Sequence, residues 1–274
     1  MTGTLPADRP RVLLLDADGN LFPSEEPAFV ASADVTNRFL ASLGVRRTYT
    51  AGQLLATTTG KNFRTTALDL TIAHGVAVES ALHPGDPAPG NDAADRPALT
   101  TAMLDDWVAE EKKVVSEYLG RVLRPDPAVL QPLRRLAESF ELAAVSSSAL
   151  SRLDECFRAT GLAELIPTQR RYSAEDSLPR PTSKPDPAVY RYATEQLGVA
   201  PRQALAVEDS LPGAQSAVAA GIPTVGNLMF VPAGDRDSRR AELTDAGVTT
   251  VMESWEQLTA ALLDRTAGLG HDPR

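Results

Sequence analysis

The stretch Arg11–Leu21, RVLLLDADGNL, decides the fold. Four apolar residues, Val12, Leu13, Leu14 and Leu15, run without alternation into Asp16 and Asp18, and Gly19 follows. An unbroken apolar run of this length predicts a strand covered on both faces, as in a parallel sheet flanked by helices. Ligands in such sheets bind beyond the carboxyl ends of the strands, so Asp16 and Asp18 stand where chemistry is expected. Asp before Gly is also ordinary turn chemistry, and on this stretch alone turn and active site both remain open.

Past the strand the apolar residues change period. Phe29, Val30, Val35, Phe39, Leu40 and Leu43 recur at helical spacing from Glu26 to Leu43, with Gly44 as a stop. Further helices are predicted from Gln53 to Thr58, from Phe63 through Ile72 to a break at Gly75, and from Leu99 to Leu119. Between the last two, Ser80–Pro97 is rich in Pro, Gly and Asp and reads as a long mobile loop. After Pro125 helix and strand alternate: a helix to Ser139, a strand Leu142–Val145, a helix Leu150–Thr160 and a short strand at Leu165 and Ile166. A polar loop leads to a helix Pro187–Leu197, a strand Ala204–Val207 and a helix Pro212–Ala220, and the same alternation continues to Leu263. This pattern predicts an α/β fold, a Rossmann-like parallel sheet with helices on both faces, interrupted by an all-helical insert. Residues 1–21 and 125–274 would form the core and 22–124 the insert. The first ten residues read as a loose leader and Gly268–Arg274 as a frayed tail.

Composition narrows the function. The 274 residues are 43% hydrophobic and 23% charged, the balance of an ordinary soluble protein. No apolar run is long enough to span a bilayer, the N-terminus has no signal-peptide pattern, and the single Cys156 agrees with a reducing compartment, so a cytoplasmic protein without a membrane partner is expected. The net charge of -9 argues against a nucleic-acid partner. His74, His83 and His271 show no zinc-site spacing. Two motif matches fail: Asp16, Asp18 and Asn20 begin like an EF-hand, but Leu21 and Pro27 stand where Gly and Glu are required. Gly60-Lys61 lacks the remaining residues of a P-loop, with Leu55 and Asn62 at two of its defining positions.

Three predicted strands end in polar groups: Asp16 and Asp18 after the first, Ser146 after Leu142–Val145, and Glu208 with Asp209 after Ala204–Val207. Lys184 lies in the loop between the last two. Singly, Ser146 could cap a helix, Lys184 could be a solvated charge and Glu208-Asp209 could cap the next helix. In one parallel sheet they converge on one edge. Two like charges about 4 Å apart repel by roughly 4 kcal/mol at an effective dielectric near 20, so a cluster of carboxylates requires a positive partner. Oxygen ligands of this kind suit Mg²⁺, and Lys184 with the Ser146 hydroxyl would complete a phosphoryl pocket.

On these residues the chain resembles the haloacid dehalogenase-like phosphatases with a helical cap, in the branch of the β-phosphoglucomutases and phosphoglycolate phosphatases. DADGNL is similar to the family's first motif, AAVSSS to its second, the lysine of SKPDPAVY to its third and LAVEDSLPGAQSAVAAG to its fourth. The resemblance runs from Val12 to about Leu263. It implies a cofactor, Mg²⁺, held by Asp209 with Glu208, Asp16 and the Asp18 carbonyl. It implies Asp16 as the nucleophile, Asp18 as the acid and base, and Ser146, Ser147 and Lys184 as phosphate-binding residues. The insert becomes a cap that chooses the substrate, with Lys61 and Arg64 in TTGKNFR as the residues meeting its polar body. The partner would be a small-molecule phosphate ester, possible sugar phosphates included. Pro23 and Ser183 depart from the family, which often has Asp and Gly there. A phosphomutase would keep every residue named, Asn20 leaning to the phosphatase side. A dehalogenase is disfavoured by Asp18, and a scaffold that has lost turnover predicts a missing catalytic residue where none is missing.

Overall fold

A computed structural model describes residues 9–58, 62–82 and 98–268. Its sheet is built around β1 (Val12–Leu15), whose four residues are all fully buried. On one side β1 pairs with β2 (Glu141–Ser146), which pairs with β3 (Arg171–Ser173). On the other it pairs with β4 (Ala204–Glu208), followed by β5 (Thr224–Asn227) and β6 (Thr250–Met252). Among the described residues the order is β3-β2-β1-β4-β5-β6, and every pairing is parallel. Strand order reverses at β1, so the crevice between β1 and β4 at their carboxyl ends is the expected ligand position.

The described residues form two compact units. One comprises the chain up to Ser24 together with Val122 onward; the other is Glu25–Arg121. In the first, Val12 and Leu14 share a core with Val189, Tyr190 and Ala193 of α7 (Ala188–Gln196) and Ala217 of α8 (Leu211–Ala219). Leu13 and Leu15, equally buried, point to the opposite face by the two-residue period of a strand. Around the sheet lie α5 (Pro127–Ala137), α6 (Leu150–Thr160), α9 (Arg236–Asp245) and α10 (Trp255–Gly268). The small residues Ala143, Ala144, Ala204 and Ala206 keep the central strands thin enough for close helix packing.

The predicted strand at Leu165 and Ile166 is not one. Leu162–Glu164 forms a turn of 3-10 helix, and the amides of Leu165 and Ile166 both donate to the Leu162 carbonyl, at 3.0 and 2.9 Å. Pro167, without an N–H, ends that apolar pair, and the strand comes five residues later as RYS. Its polarity hid it. Arg171 is buried because its guanidinium pairs with Asp154 at 2.6 Å and lies over the Phe157 ring at 4.3 Å.

The second unit contains α1 (Glu25–Ser42), α2 (Ala51–Thr58), α3 (Phe63–Ala73) and α4 (Thr101–Val122), the last ending one residue beyond it. Its core joins Val35, Phe39, Leu40 and Leu43 to Phe63, Ala67, Leu99 and Leu104. The Phe39 ring meets Phe63 and Trp107 edge-on, with centroids 6.2 and 5.9 Å apart. Asn62 caps α3 by accepting from the Thr65 amide at 2.9 Å. The leader, the tail and the Ser80–Pro97 loop fall almost wholly outside the described residues.

Candidate active site

Each predicted group stands at the carboxyl end of a strand because the strand's apolar run stops there. Asp16 is the first residue past β1, and its amide donates to the Val207 carbonyl at 3.0 Å, which carries the ladder one step beyond the strand. The chain then turns at Gly19, whose φ of 77° requires glycine. Glu208 and Asp209 close β4, Ser146 closes β2, and Lys184 reaches in from the loop before α7. Asp16, Glu208 and Asp209 are buried, and each offers a carboxylate oxygen within 4.8 Å of the other two.

Lys184 Nζ is saturated. It donates to Asp16 Oδ1, to Glu208 Oε1 at 2.7 Å and to the Val145 carbonyl at 2.8 Å. The Tyr190 hydroxyl also donates to Glu208 Oε1, and Lys184 Nζ lies 5.2 Å from the centroid of the Tyr190 ring. Asp18 faces different company. Ser148 donates to its Oδ2 at 2.7 Å and Ser146 at 3.3 Å, Ser24 donates to its Oδ1, and the Arg152 guanidinium stands 3.3 Å from Oδ1.

The two aspartates are therefore pushed apart. Burial raises the Asp16 carboxyl to about 8, with Glu208 and Asp18 adding to the rise and Lys184 opposing it. Burial would raise Asp18 too, but Arg152 and the hydroxyls of Ser24, Ser148 and Ser146 hold it below the ordinary carboxylate range. Burial works against the Lys184 ammonium, yet Asp16 and Glu208 more than offset it and hold its pKa above normal. Burial, with the Glu208 carboxylate beside it, carries the Tyr190 phenol well above its ordinary value.

The donor set at Asp16, Glu208 and Asp209 is all hard carboxylate oxygen, the kind that suits Mg²⁺. Two further observations fit a cation there. Glu208 Oε2 is buried and accepts no hydrogen bond from the described residues. Two glycines make room for the carboxylates: a Cβ on Gly19 would lie 2.5 Å from Asp209 Oδ2, and one on Gly213 would lie 1.8 Å from Glu208 Oε2.

Asp16, Asp18, Ser146, Lys184, Glu208 and Asp209 thus come together, as the sequence reading expected them to converge. Ser147 sits beside them with its hydroxyl accepting from the Lys184 amide at 3.0 Å, so it fixes the lysine's loop. Arg64, 43% exposed in its side chain, pairs with Asp105 of the same helical unit. Lys61 lies outside the described residues. Four residues that the sequence reading missed touch the site: Ser24, Ser148, Arg152 and Tyr190. Ser148 was visible in the SSS run, whereas Arg152 and Tyr190 are ordinary helix residues until the fold places them.

A family model, described as haloacid dehalogenase-like hydrolase, matches residues 10–221 and so spans β1, β4 and every group named above. The chain belongs to the haloacid dehalogenase-like hydrolases. Among these hydrolases, a phosphoglycolate phosphatase of Thiobacillus denitrificans is 31% identical over 163 residues, covering 58% of this chain and 68% of that protein. The chain spans only 43% and 31% of the length of two Arabidopsis thaliana relatives, at 34% and 37% identity. A solved hydrolase of the family from Deinococcus radiodurans, with bound phosphate and sodium, is 26% identical with a TM-score of 0.58, covering 96% of this chain and 98% of that one. CbbY of Rhodobacter sphaeroides, in complex with xylulose-(1,5)bisphosphate, shares the fold at 23% identity and a TM-score of 0.61, over 92% of this chain and 98% of that one.

Proposed function

We propose that this hydrolase is a Mg²⁺-dependent phosphatase that removes the phosphoryl group of a small phosphorylated metabolite through an aspartyl phosphate. The observation that carries the reading is the division of labour between Asp16 and Asp18. One faces Lys184, Glu208 and Asp209; the other faces three hydroxyls and a guanidinium. Contrasting surroundings let two carboxyls take different roles at one pH, and here the roles of nucleophile and acid require a cation beside Asp16 and the ester's charge beside Asp18.

An Asp16 oxygen would bond to phosphorus as the ester P–O bond breaks, and Asp18 would give its proton to the leaving oxygen. Asp18 would then take a proton from the water that attacks phosphorus, releasing phosphate and restoring Asp16. Lys184 and the Ser146 hydroxyl would hold phosphoryl oxygens, with Ser147 fixing the lysine's loop. Asp16, Asp209 and Glu208, with the Asp18 carbonyl, would hold Mg²⁺, which supplies the positive charge that lets an anionic nucleophile approach an anionic ester. The raised pKa of Asp16 supports that need, since Lys184 alone does not keep it ionised. Asp18 rests as a carboxylate. Approach of the ester's negative charge would favour its protonated form, the one required to protonate the leaving group.

The phosphoglycolate phosphatase relative and the phosphate-bound relative support the phosphate-ester class, and CbbY's ligand keeps sugar phosphates within it. A phosphomutase uses the same constellation. Asn20, which leans to the phosphatase side, is fully buried, with its side chain bonded to the Asp16 and Val207 carbonyls and to Asn227.

The test is phosphate release from a panel of phosphorylated metabolites, with Mg²⁺ and with chelator, for wild type and Asp16→Asn. The expected result is Mg²⁺-dependent turnover that falls by at least about a thousandfold in the variant. Equal rates for both proteins would defeat the enzyme reading. Isomerised product from a monophosphate given a bisphosphate primer would assign a mutase.

A further inference from the structure

Behind the carboxylates lies a buried polar relay that the reaction does not use. Asn20 is fully buried in the turn after β1. Its Nδ2 donates to the Asp16 carbonyl at 2.9 Å and to the Val207 carbonyl at 3.2 Å. Those carbonyls lie at the carboxyl ends of β1 and β4, where the last backbone bond between the two strands runs from the Asp16 amide to the Val207 carbonyl at 3.0 Å. The Asn20 side-chain amide therefore adds a second tie, beyond that backbone bond, between the two strand ends that carry Asp16 and Glu208.

The orientation of that amide is itself fixed. Asn227, at the end of β5 and 3% exposed, donates from Nδ2 to Asn20 Oδ1 at 2.8 Å, while its own Oδ1 accepts from the Met229 amide at 3.1 Å. With its oxygen held by a donor, the Asn20 amide must turn its nitrogen to the two strand ends. Trp255, fully buried at the start of α10, donates from Nε1 to the Asn20 carbonyl at 3.1 Å. Both anchors come from elements that contribute no group to the site, and every side-chain polar atom in the relay has a partner. A fully satisfied buried network of this kind specifies one geometry.

We propose that Asn227 and Trp255 are positioning residues for the cation site. Acting through Asn20, they set the separation of the β1 and β4 ends and hence the spacing of the Asp16 and Glu208–Asp209 carboxylates. The inference rests on the metal-dependent reading above. A divalent cation with strict geometry is sensitive to such spacing, whereas general stability is not specific to it.

The experiment uses the full chain as wild type, Asn227→Leu, Trp255→Phe and their double variant. Thr160→Val is the control, because it deletes another buried hydrogen bond of the same unit, from Thr160 Oγ1 to the Cys156 carbonyl at 2.7 Å. Mg²⁺ affinity is read by calorimetry, kcat and KM on the best ester, and folding by thermal melting. Each relay variant is expected to bind Mg²⁺ about tenfold to a hundredfold more weakly. Its kcat should fall while KM stays within about twofold. The double variant should lose less than the sum of the two single losses, since Asn227 holds the side chain and Trp255 the main-chain carbonyl of one residue, Asn20. Thr160→Val should melt earlier with unchanged Mg²⁺ affinity. If Asn227→Leu does not fold, Trp255→Phe, which keeps an aromatic ring but loses the indole donor and some packing, decides the matter, with its melting curve reporting the lost packing. A relay variant that melts cooperatively and binds Mg²⁺ like wild type overturns the proposal and leaves the relay a structural element. Failure of the wild type itself to bind Mg²⁺ would overturn the metal-dependent reading and this inference with it.

Discussion

Asp16 and Asp18 are two residues apart, yet their ionisation diverges because one is crowded by acids and the other by donors. Asp16 is pushed up to about 8, so in the metal-free protein it holds a proton at neutral pH that the unfolded chain has lost. A native state that binds the extra proton loses stability as pH rises through the window from the unfolded value, near 4, to about 8. The melting temperature of the chelated protein should therefore fall between pH 5 and pH 8, with less fall in Asp16→Asn. Binding of Mg²⁺ at pH 7 should release about one proton, as metal ligands must be deprotonated. Calorimetry in two buffers of different ionisation enthalpy measures that number, and release of none would mean Asp16 is already ionised. The sequence made Asp16, Ser146, Glu208 and Asp209 legible because each follows an apolar run. Arg152 reaches Asp18 across 134 positions of the chain, and no local spacing encodes such a meeting.

At the scale of elements, the junction of β4 with α8 is the tightest fit in the site. Gly213 lies in the first turn of α8, where alanine would ordinarily favour the helix by about 1 kcal/mol. The Glu208 carboxylate occupies the space of the missing Cβ, 1.8 Å from Oε2, and forcing a methyl into a packed interior costs roughly 1–3 kcal/mol. The clash should win. Gly213→Ala is expected to gain no thermal stability and to weaken Mg²⁺ binding by about tenfold or more, read by melting and by titration. A variant that is more stable with unchanged affinity would mean that α8 moves aside. Elements were legible where their period was clean, as in β1, α5 and α8. β3 was not, because a strand carrying a buried, ion-paired Arg171 offers none of the apolar signal that marks a strand.

Over the whole molecule, the alternation of strands and helices implied a parallel sheet, but its order rests on which helices bury which faces, a property no single stretch carries. The switch of strand order at β1 gathers groups separated by nearly two hundred residues onto one edge of one unit. Asp18, Glu208, Asp209 and the protonated Asp16 meet there with Lys184, Arg152 and, on the Asp209 carbonyl at 2.7 Å, Arg239. A divalent ion held by Asp16, Glu208 and Asp209 would replace the Asp16 proton and would stabilise the native state, the only state that brings these groups together. An ion that binds only the native state at a hundred times its Kd adds about 2.7 kcal/mol. For a chain of this size that corresponds to roughly 5–10 °C in Tm. Saturating Mg²⁺ should produce that rise and chelator should reverse it, while equal ionic strength of NaCl should not reproduce it. In Asp209→Asn the Mg²⁺ increment should shrink or vanish. A full Mg²⁺ increment in that variant would place the ion elsewhere.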